Sequence, residues 1–187
     1  RGALGGLAGA TEAFSQVFDA AGYEIIFIET VGAGQAEVDV VNLAHTTVVV
    51  DTPGTGDDIQ SIKAGILEIA DILVLNKADK PEVDAAEMAL RSMLTLGYPT
   101  KSEEEWVPPI LRTIANEGEG LTAVLEAIEA HKKFLYSKGG WEKRDQLRIQ
   151  AFMRGLLEQR REEAWQQLLQ KQAVQNLFLQ VFRREIS

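Results

Sequence analysis

The stretch DILVLNKAD, residues 71 to 79, decides how the rest of the chain is interpreted. Its apolar run leads directly into Asn76, Lys77 and Asp79, with only Ala78 between them. An apolar run rich in Ile, Leu and Val that ends abruptly in polar residues is typical of a buried parallel strand. Open α/β sheets bind ligands at the carboxyl ends of such strands. The sequence therefore predicts that these polar side chains face a ligand.

Composition and charge limit the possible classes of protein. The chain has 187 residues, of which 45% are hydrophobic and 25% charged, and it has no cysteine. Disulfides and thiolate metal sites are therefore excluded, and we expect a cytosol-like compartment. No apolar run approaches the roughly 18 residues of a membrane span. The pattern of a signal peptide is also missing from the first residues.

The charge is unevenly distributed along the chain. Residues 1 to 139 carry 10 Lys and Arg against 22 Asp and Glu, whereas residues 140 to 187 carry 9 against 6. We therefore expect two parts, with a boundary after residue 139. The acidic first part argues against nucleic acid as a partner, because phosphate binding needs clustered positive charge.

Short apolar runs alternate with helical patterns along the first part. Strands are predicted at residues 23 to 30, 45 to 52, 71 to 77 and 108 to 115, and helices at 6 to 21, 57 to 70, 83 to 96 and 121 to 136. This alternation predicts an α/β fold with a mostly parallel sheet and flanking helices.

From Trp141 onward, apolar residues recur at helical spacing, and no Gly or Pro follows Gly155. We expect a C-terminal helical extension made of one long helix or a bent pair. Its apolar stripe needs a cover, either the sheet domain of the same chain or a second copy in a dimer.

The NKAD motif identifies guanine as the predicted ligand. A carboxylate at Asp79 can accept hydrogen bonds from the N1–H and the exocyclic amine of guanine, which adenine does not supply. Asn76 would bridge the base and a neighbouring loop, and the methylene stem of Lys77 would pack on the purine face. The loop TIANEGEGL, residues 113 to 121, follows the next strand, and its amides near Ala115 and Asn116 are predicted to complete the pocket.

Two D/E-x-x-G stretches compete for the phosphate side of the site, ETVG at residues 29 to 32 and DTPG at 51 to 54. In P-loop proteins an acidic strand end serves Mg²⁺ and a glycine amide meets the γ-phosphate. Only ETVG leaves room for a further strand before NKAD. We therefore expect Glu29 and Gly32 on the phosphate side and DTPG as a mobile loop.

Together, the stretches ETVGAGQAEVDV, PGTGDDIQSIKAGILEIADILVLNKAD and WVPPILRTIANEGEGL resemble the MeaB/ArgK family of P-loop GTPases, the chaperones of methylmalonyl-CoA mutase and related mutases. The resemblance spans roughly residues 1 to 130. It implies GTP/GDP and Mg²⁺ as ligands and a homodimer formed through the C-terminal helices. The implied location is the bacterial cytoplasm, or the mitochondrial matrix if the source is eukaryotic.

The resemblance also implies roles for individual residues. Glu29 would organise Mg²⁺, and residues 32 to 35, ending at Gln35, would sense the nucleotide. Residues 54 to 63 would form a switch, in which Asp57, Asp58 and Lys63 would couple partner binding to hydrolysis. A solvated helix lysine is the alternative for Lys63.

Two features depart from the family pattern. Asp51 and Thr52 stand where two apolar residues usually precede PG. The phosphate loop G-x-x-x-x-G-K-[ST] does not occur in these residues, and tight GTP binding needs its amide cradle and lysine. The first methionine is Met88, so we expect this loop to lie in a segment outside the sequence.

The predicted function is a GTP-hydrolysing chaperone that gates cofactor loading or protection of a cobalamin-dependent acyl-CoA mutase. The alternatives are a non-enzymatic, truncated G-domain interaction module and an Era-like GTPase that uses DTPG. His45 and His131 are not in the D-x-H-x-x-G pattern of cobalt ligation, so cobalamin binding by the chain is not expected. Trp106 is predicted to be a packing anchor.

Overall fold

The computed structural model describes residues 6–30, 43–54, 69–97 and 105–185. Three short strands and five helices occur in these ranges. In chain order they are α1 (Gly6–Ala20), β1 (Val48–Asp51), β2 (Ile72–Asn76), α2 (Val83–Gly97), β3 (Ile110–Thr113), α3 (Leu121–Ser137), α4 (Gly140–Leu169) and α5 (Gln172–Phe182). The α/β class and the C-terminal helical extension predicted from the sequence are confirmed. No helix in the described ranges is both long and apolar enough to cross a membrane.

The three strands form a parallel sheet in the order β1-β2-β3. Val48 pairs with Ile72 and Asp51 with Leu75, while Asn76 at the end of β2 pairs with Thr113 of β3. This register brings the carboxyl ends of all three strands to one edge of the sheet. Polar residues that follow the strands therefore meet there.

Strand β2 is the buried centre of the sheet, because its first four residues are all buried. On one face, Leu75 packs with Val83, Ala86 and Leu90 of α2. Leu73 belongs to a second cluster on the same helix, with Ala70 and Leu94. Alternation along the strand turns Ile72 and Val74 to the opposite face. Helix α3 contacts β2 and β3 and buries His131 and Leu135.

Asp71, directly before β2, is the buried carboxylate of the sheet. Arg144 of α4 donates two hydrogen bonds of 2.8 Å to its two oxygens, and the Thr47 amide donates a third of 2.8 Å. The Nε2 atom of His131 lies 3.2 Å from Oδ1. Trp106 donates from its indole to the Asp71 main-chain oxygen at 2.7 Å. We call these five residues the Asp71 cluster. The cluster connects residues that precede the three strands with helix α3 and the first turns of α4.

The hydrogen bonds outweigh the cost of burying this charge. Burial alone would raise the pKa of Asp71, but the hydrogen bonds from Arg144, His131 and the Thr47 amide, with the charge of Arg144, lower the pKa to about 2. The carboxylate therefore stays ionised in the folded protein at neutral pH.

Both histidines have structural partners at this end of the sheet. His131 Nδ1 lies 2.9 Å from the Thr46 hydroxyl. His45 bonds to Asp145 at 2.9 Å and stacks on Trp141 with ring centroids 3.8 Å apart. Trp106 packs against His131, with ring centroids 4.8 Å apart, which agrees with the packing role expected for it.

The chain divides into two compact units, one formed by Phe27–Arg148 and the other by Arg1–Ile26 with Ile149–Ser187. The first unit contains the sheet and the beginning of α4. The second contains α1 and α5, and neither α4 nor α5 has a buried residue. The C-terminal extension consists of two helices, which is one of the two forms expected from the sequence. The domain boundary after residue 139 stays a prediction.

The strand predicted at residues 23 to 30 is wrong. These residues form no strand in the structure, and Tyr23, Ile25 and Phe27 are exposed. An alternating apolar pattern makes a strand only where a neighbouring strand accepts its hydrogen bonds, and no described strand pairs with this segment. Most of the helix predicted at 57 to 70 lies outside the described residues.

Replacing Asp71 by Asn should destabilise the protein. The substitution removes the charge that Arg144 is bound to and leaves a partly buried guanidinium without its counterion, so the free energy of unfolding should fall by about 2–4 kcal/mol. Urea denaturation would measure this loss. The same change at exposed Asp19 is the control and should alter stability by less than about 0.5 kcal/mol.

The loss should also depend on pH. Because the folded pKa of about 2 lies below the ordinary value of 3.8, Asp71 stabilises the fold above pH 3.8 and loses this effect as the pH falls through 2. The shift corresponds to about 2 kcal/mol. The free energies of unfolding of the wild type and of Asp71→Asn should therefore converge as the pH falls from 6 to 2. A difference between the two proteins that stays constant over this range would contradict the assigned role.

Candidate functional site

The polar residues of NKAD lie at the carboxyl end of β2, as the sequence predicts. Asn76 is the last residue of the strand and is half-buried, whereas Lys77 and Asp79 are exposed. The Asp79 side chain is exposed, and within the described ranges no side chain donates a hydrogen bond to its carboxylate. We call residues 76 to 80 the base loop.

Asn76 fastens the base loop to the loop that follows β3. Its Oδ1 atom accepts a hydrogen bond of 3.1 Å from the Ala115 amide and one of 3.2 Å from the Thr113 hydroxyl. The Ala78 amide donates to the Thr113 main-chain oxygen at 3.0 Å. The two loops predicted to share a pocket are thus connected by three hydrogen bonds. Asn76 therefore forms the predicted bridge to the neighbouring loop. The Ala115 amide is one of the two donors to Asn76 in this bridge.

Lys77 has a backbone conformation that is unusual for its residue type. Its φ is +56°, in the left-handed region that costs a non-glycine residue about 1 kcal/mol or more. The Lys80 amide donates to the Lys77 oxygen at 3.1 Å and closes a turn around Ala78 and Asp79. This turn fixes the direction in which Asp79 leaves the sheet. Strained backbone of this kind is concentrated at binding sites.

The loop after β3, residues 113 to 120, is held in a tight fold by its own backbone, and we call it the TIAN loop. The Ile114 amide donates to the Glu119 oxygen at 3.1 Å, and the Glu117 amide donates back to Ile114 at 2.9 Å. Gly120 has φ +77°, and a Cβ atom there would overlap the main-chain oxygen of Arg112, so only glycine fits. Asn116 is exposed at the rim, beside the Ala115 backbone.

A third loop reaches the same edge of the sheet from β1, and we call its residues 52 to 54 the PG loop. The Thr52 amide donates to the Asp51 carboxylate at 2.7 Å, and Pro53 is fully buried. Lys80 donates from Nζ to the Pro53 oxygen at 3.1 Å. Sequence reasoning did not single out Lys80. Its position directly after Asp79 was the available signal.

Of the residues predicted for the phosphate side, only Glu29 lies in the described ranges. Glu29 is exposed in the described residues. Gly32, Gln35, Asp57, Asp58 and Lys63 lie outside the described residues, and their roles stay predictions. Within the described ranges, His, Asp and Glu side chains form no group of three that could hold a metal ion. The role of Glu29 at a Mg²⁺ site therefore stays a prediction.

Two relatives with known names are similar to this chain in sequence. A relative from Pyrococcus abyssi that is named as a GTPase is 46% identical over 150 residues, covering 80% of this chain and 46% of its own. The mouse protein named methylmalonic aciduria type A homolog, mitochondrial, is 31% identical, with 84% of this chain and 38% of its own covered. The chain thus spans less than half the length of these relatives.

A solved structure shows the same architecture. The crystal structure of a protein named LAO/AO transport system kinase matches with a TM-score of 0.67 and 25% identity, over 96% of this chain and 58% of that one. The family model described as methylmalonyl Co-A mutase-associated GTPase MeaB matches residues 1–173. The NKAD strand, the TIAN loop and these matches agree, and the chain belongs to the MeaB family.

Proposed function

We propose that the chain carries the guanine-recognition part of a GTP-hydrolysing chaperone for a cobalamin-dependent acyl-CoA mutase. The observation that carries this proposal is the Asn76 bridge, which holds the base loop and the TIAN loop together and leaves the Asp79 carboxylate exposed beside them. A sheet edge of this kind is where α/β proteins bind nucleotides. The family membership and the GTPase names of relatives support the same conclusion.

Base selectivity follows from the chemistry of Asp79. Its two oxygens accept from N1–H and from the 2-amino group of guanine, and an ionised acceptor makes these hydrogen bonds stronger than neutral ones. Adenine has an unprotonated N1 and no 2-amino group, so it would leave the carboxylate unpaired. The stem of Lys77 would cover the purine face.

Hydrolysis would proceed by in-line attack of water on the γ-phosphate, giving GDP and phosphate. Catalysis of phosphoryl transfer rests on positioning and charge stabilisation. On the phosphate side we assign sensing to Gly32 and Gln35, and partner coupling to Asp57 and Lys63. Glu29 is assigned to Mg²⁺, which would neutralise charge on the phosphates when bound.

GTP hydrolysis would serve to control the mutase. Movement of the switch residues would gate cofactor loading or protection of the partner enzyme, in the bacterial cytoplasm or the mitochondrial matrix. The family description, which names methylmalonyl Co-A mutase, supports a mutase as the partner. The competing proposal is a non-enzymatic interaction module built on a truncated G domain.

One feature favours an assembly role alongside GTP hydrolysis. Helices α4 and α5 bury none of their residues, and several large apolar side chains are about half exposed, among them Met153, Trp165, Phe178 and Val181. Large apolar side chains left exposed along a helical extension are typical of an interface. We assign it to a homodimer formed through the C-terminal helices.

Asp79→Asn should exchange guanine for xanthine as the preferred base. Xanthine carries a carbonyl in place of the 2-amino group, and an asparagine amide can donate to that oxygen while still accepting from N1–H. Affinity for GDP should fall by about 100-fold, the value of losing one or two charge-assisted hydrogen bonds. Displacement of fluorescent GDP from the full-length protein by GDP or by xanthosine diphosphate would measure both affinities.

Asp84→Asn is the matched control, because Asp84 bonds to Arg112 on the surface at 2.7 Å. It should leave GDP affinity unchanged. An Asp79→Asn protein that binds GDP as tightly as the wild type would remove the assignment of Asp79 to the base.

The double change Phe178→Ser and Phe182→Ser should convert a dimer to a monomer. The two side chains are 48% and 86% exposed and lie one helical turn apart on α5. Light scattering should give twice 20.6 kDa for this chain and 20.6 kDa for the variant. Gln180→Ser, on another side of α5, is the control. A wild-type chain that is monomeric at every concentration would contradict the dimer.

A further inference from the structure

Lys80 connects two loops that leave neighbouring strands at the candidate site. Its ammonium nitrogen donates to the main-chain oxygen of Pro53 at 3.1 Å. Pro53 is fully buried, and Lys80 itself is half-buried. A charged donor on a carbonyl is stronger than a neutral hydrogen bond. The contact therefore holds the PG loop against the base loop.

The backbone has a left-handed conformation on both sides of this contact, at Lys77 and at Gly54. The left-handed Lys77 and the turn from Lys77 to Lys80 place Lys80 after the bend of the base loop. On the other side, Gly54 has φ +90°, which favours glycine. A Cβ atom on Gly54 would lie 3.8 Å from both Lys80 Nζ and Glu82 Oε2. The side chains of Lys80 and Glu82 thus lie directly against the PG loop.

The two connected loops have different tasks under the proposed function. Asp79, the residue before Lys80, is assigned to the guanine base. The PG loop begins where β1 ends and leads into residues 54 to 63, for which the family resemblance implies a switch. One hydrogen bond therefore connects the residues that hold the base with the start of the segment that would respond to hydrolysis.

We propose that Lys80 is a positioning residue that fixes the PG loop for GTP hydrolysis without touching the nucleotide itself. The proposal rests on the proposed function for its catalytic part. Base contacts made by Asn76 and Asp79 do not depend on the Lys80 ammonium group. Loss of that group should consequently lower turnover and leave nucleotide affinity nearly unchanged.

The test compares Lys80→Met and Lys80→Arg with the wild type, all in the full-length protein, in hydrogen exchange and GTP turnover. Methionine keeps the apolar stem and removes the donor, whereas arginine keeps a charged donor. In Lys80→Met the Thr52 amide, which donates to the Asp51 carboxylate, should exchange faster, and kcat should fall about tenfold with KM and GDP affinity within about threefold. Lys80→Arg should restore part of both effects. Lys133→Met, an exposed change on α3, is the control and should match the wild type.

Each contrary result points to a different failure. Unchanged exchange at the Thr52 amide in Lys80→Met would overturn the positioning role, whether or not nucleotide binds. Faster exchange with an unchanged kcat would overturn the link to hydrolysis. An equal loss of GDP affinity and turnover would show that Lys80 acts in binding instead. A wild-type protein that binds no guanine nucleotide would overturn the proposed function, and the link to hydrolysis with it.

Discussion

The structure around the sheet depends on one constraint, that a strand buried on both faces must find hydrogen-bond partners for the polar side chains at its ends. Strand β2 is such a strand, with Asp71 before it and Asn76 at its last position. Asp71 is held by Arg144, His131 and the Thr47 amide, and Asn76 by Thr113 and Ala115. An unpaired buried charge or amide at either place would cost several kcal/mol. The first set of contacts fastens helices to the sheet, and the second assembles the candidate site.

Much of this could be predicted from local sequence. The apolar runs before Asp51, Asn76 and Thr113 predict three parallel strands, and the register then brings NKAD and TIAN to one edge. The run at residues 23 to 30 shows the limit of that reasoning, because alternation of side chains carries no information on whether a partner strand is present. Strand formation depends on hydrogen bonds to another part of the chain.

The contacts that sequence reasoning missed are those between distant residues. His131 and His45 were considered only as cobalt ligands, and Arg144 only as part of a mildly basic tail. Their partners, Asp71 and Asp145, lie 60 or more positions away along the chain. A carboxylate directly before an all-apolar run does signal a need for a buried cation. It does not say which of the 19 Lys and Arg residues supplies it.

The site combines a rigid frame with exposed chemical groups. Asn76, Thr113 and Gly120 hold backbone in place, while Asp79 and Asn116 stay exposed at the rim. The central claim is that this edge of the sheet selects guanine over adenine. Displacement of fluorescent GDP from the full-length wild-type protein by GTP and by ATP tests it most directly. GTP should compete at least 100-fold better than ATP, and equal competition by the two nucleotides would contradict the assignment of the site.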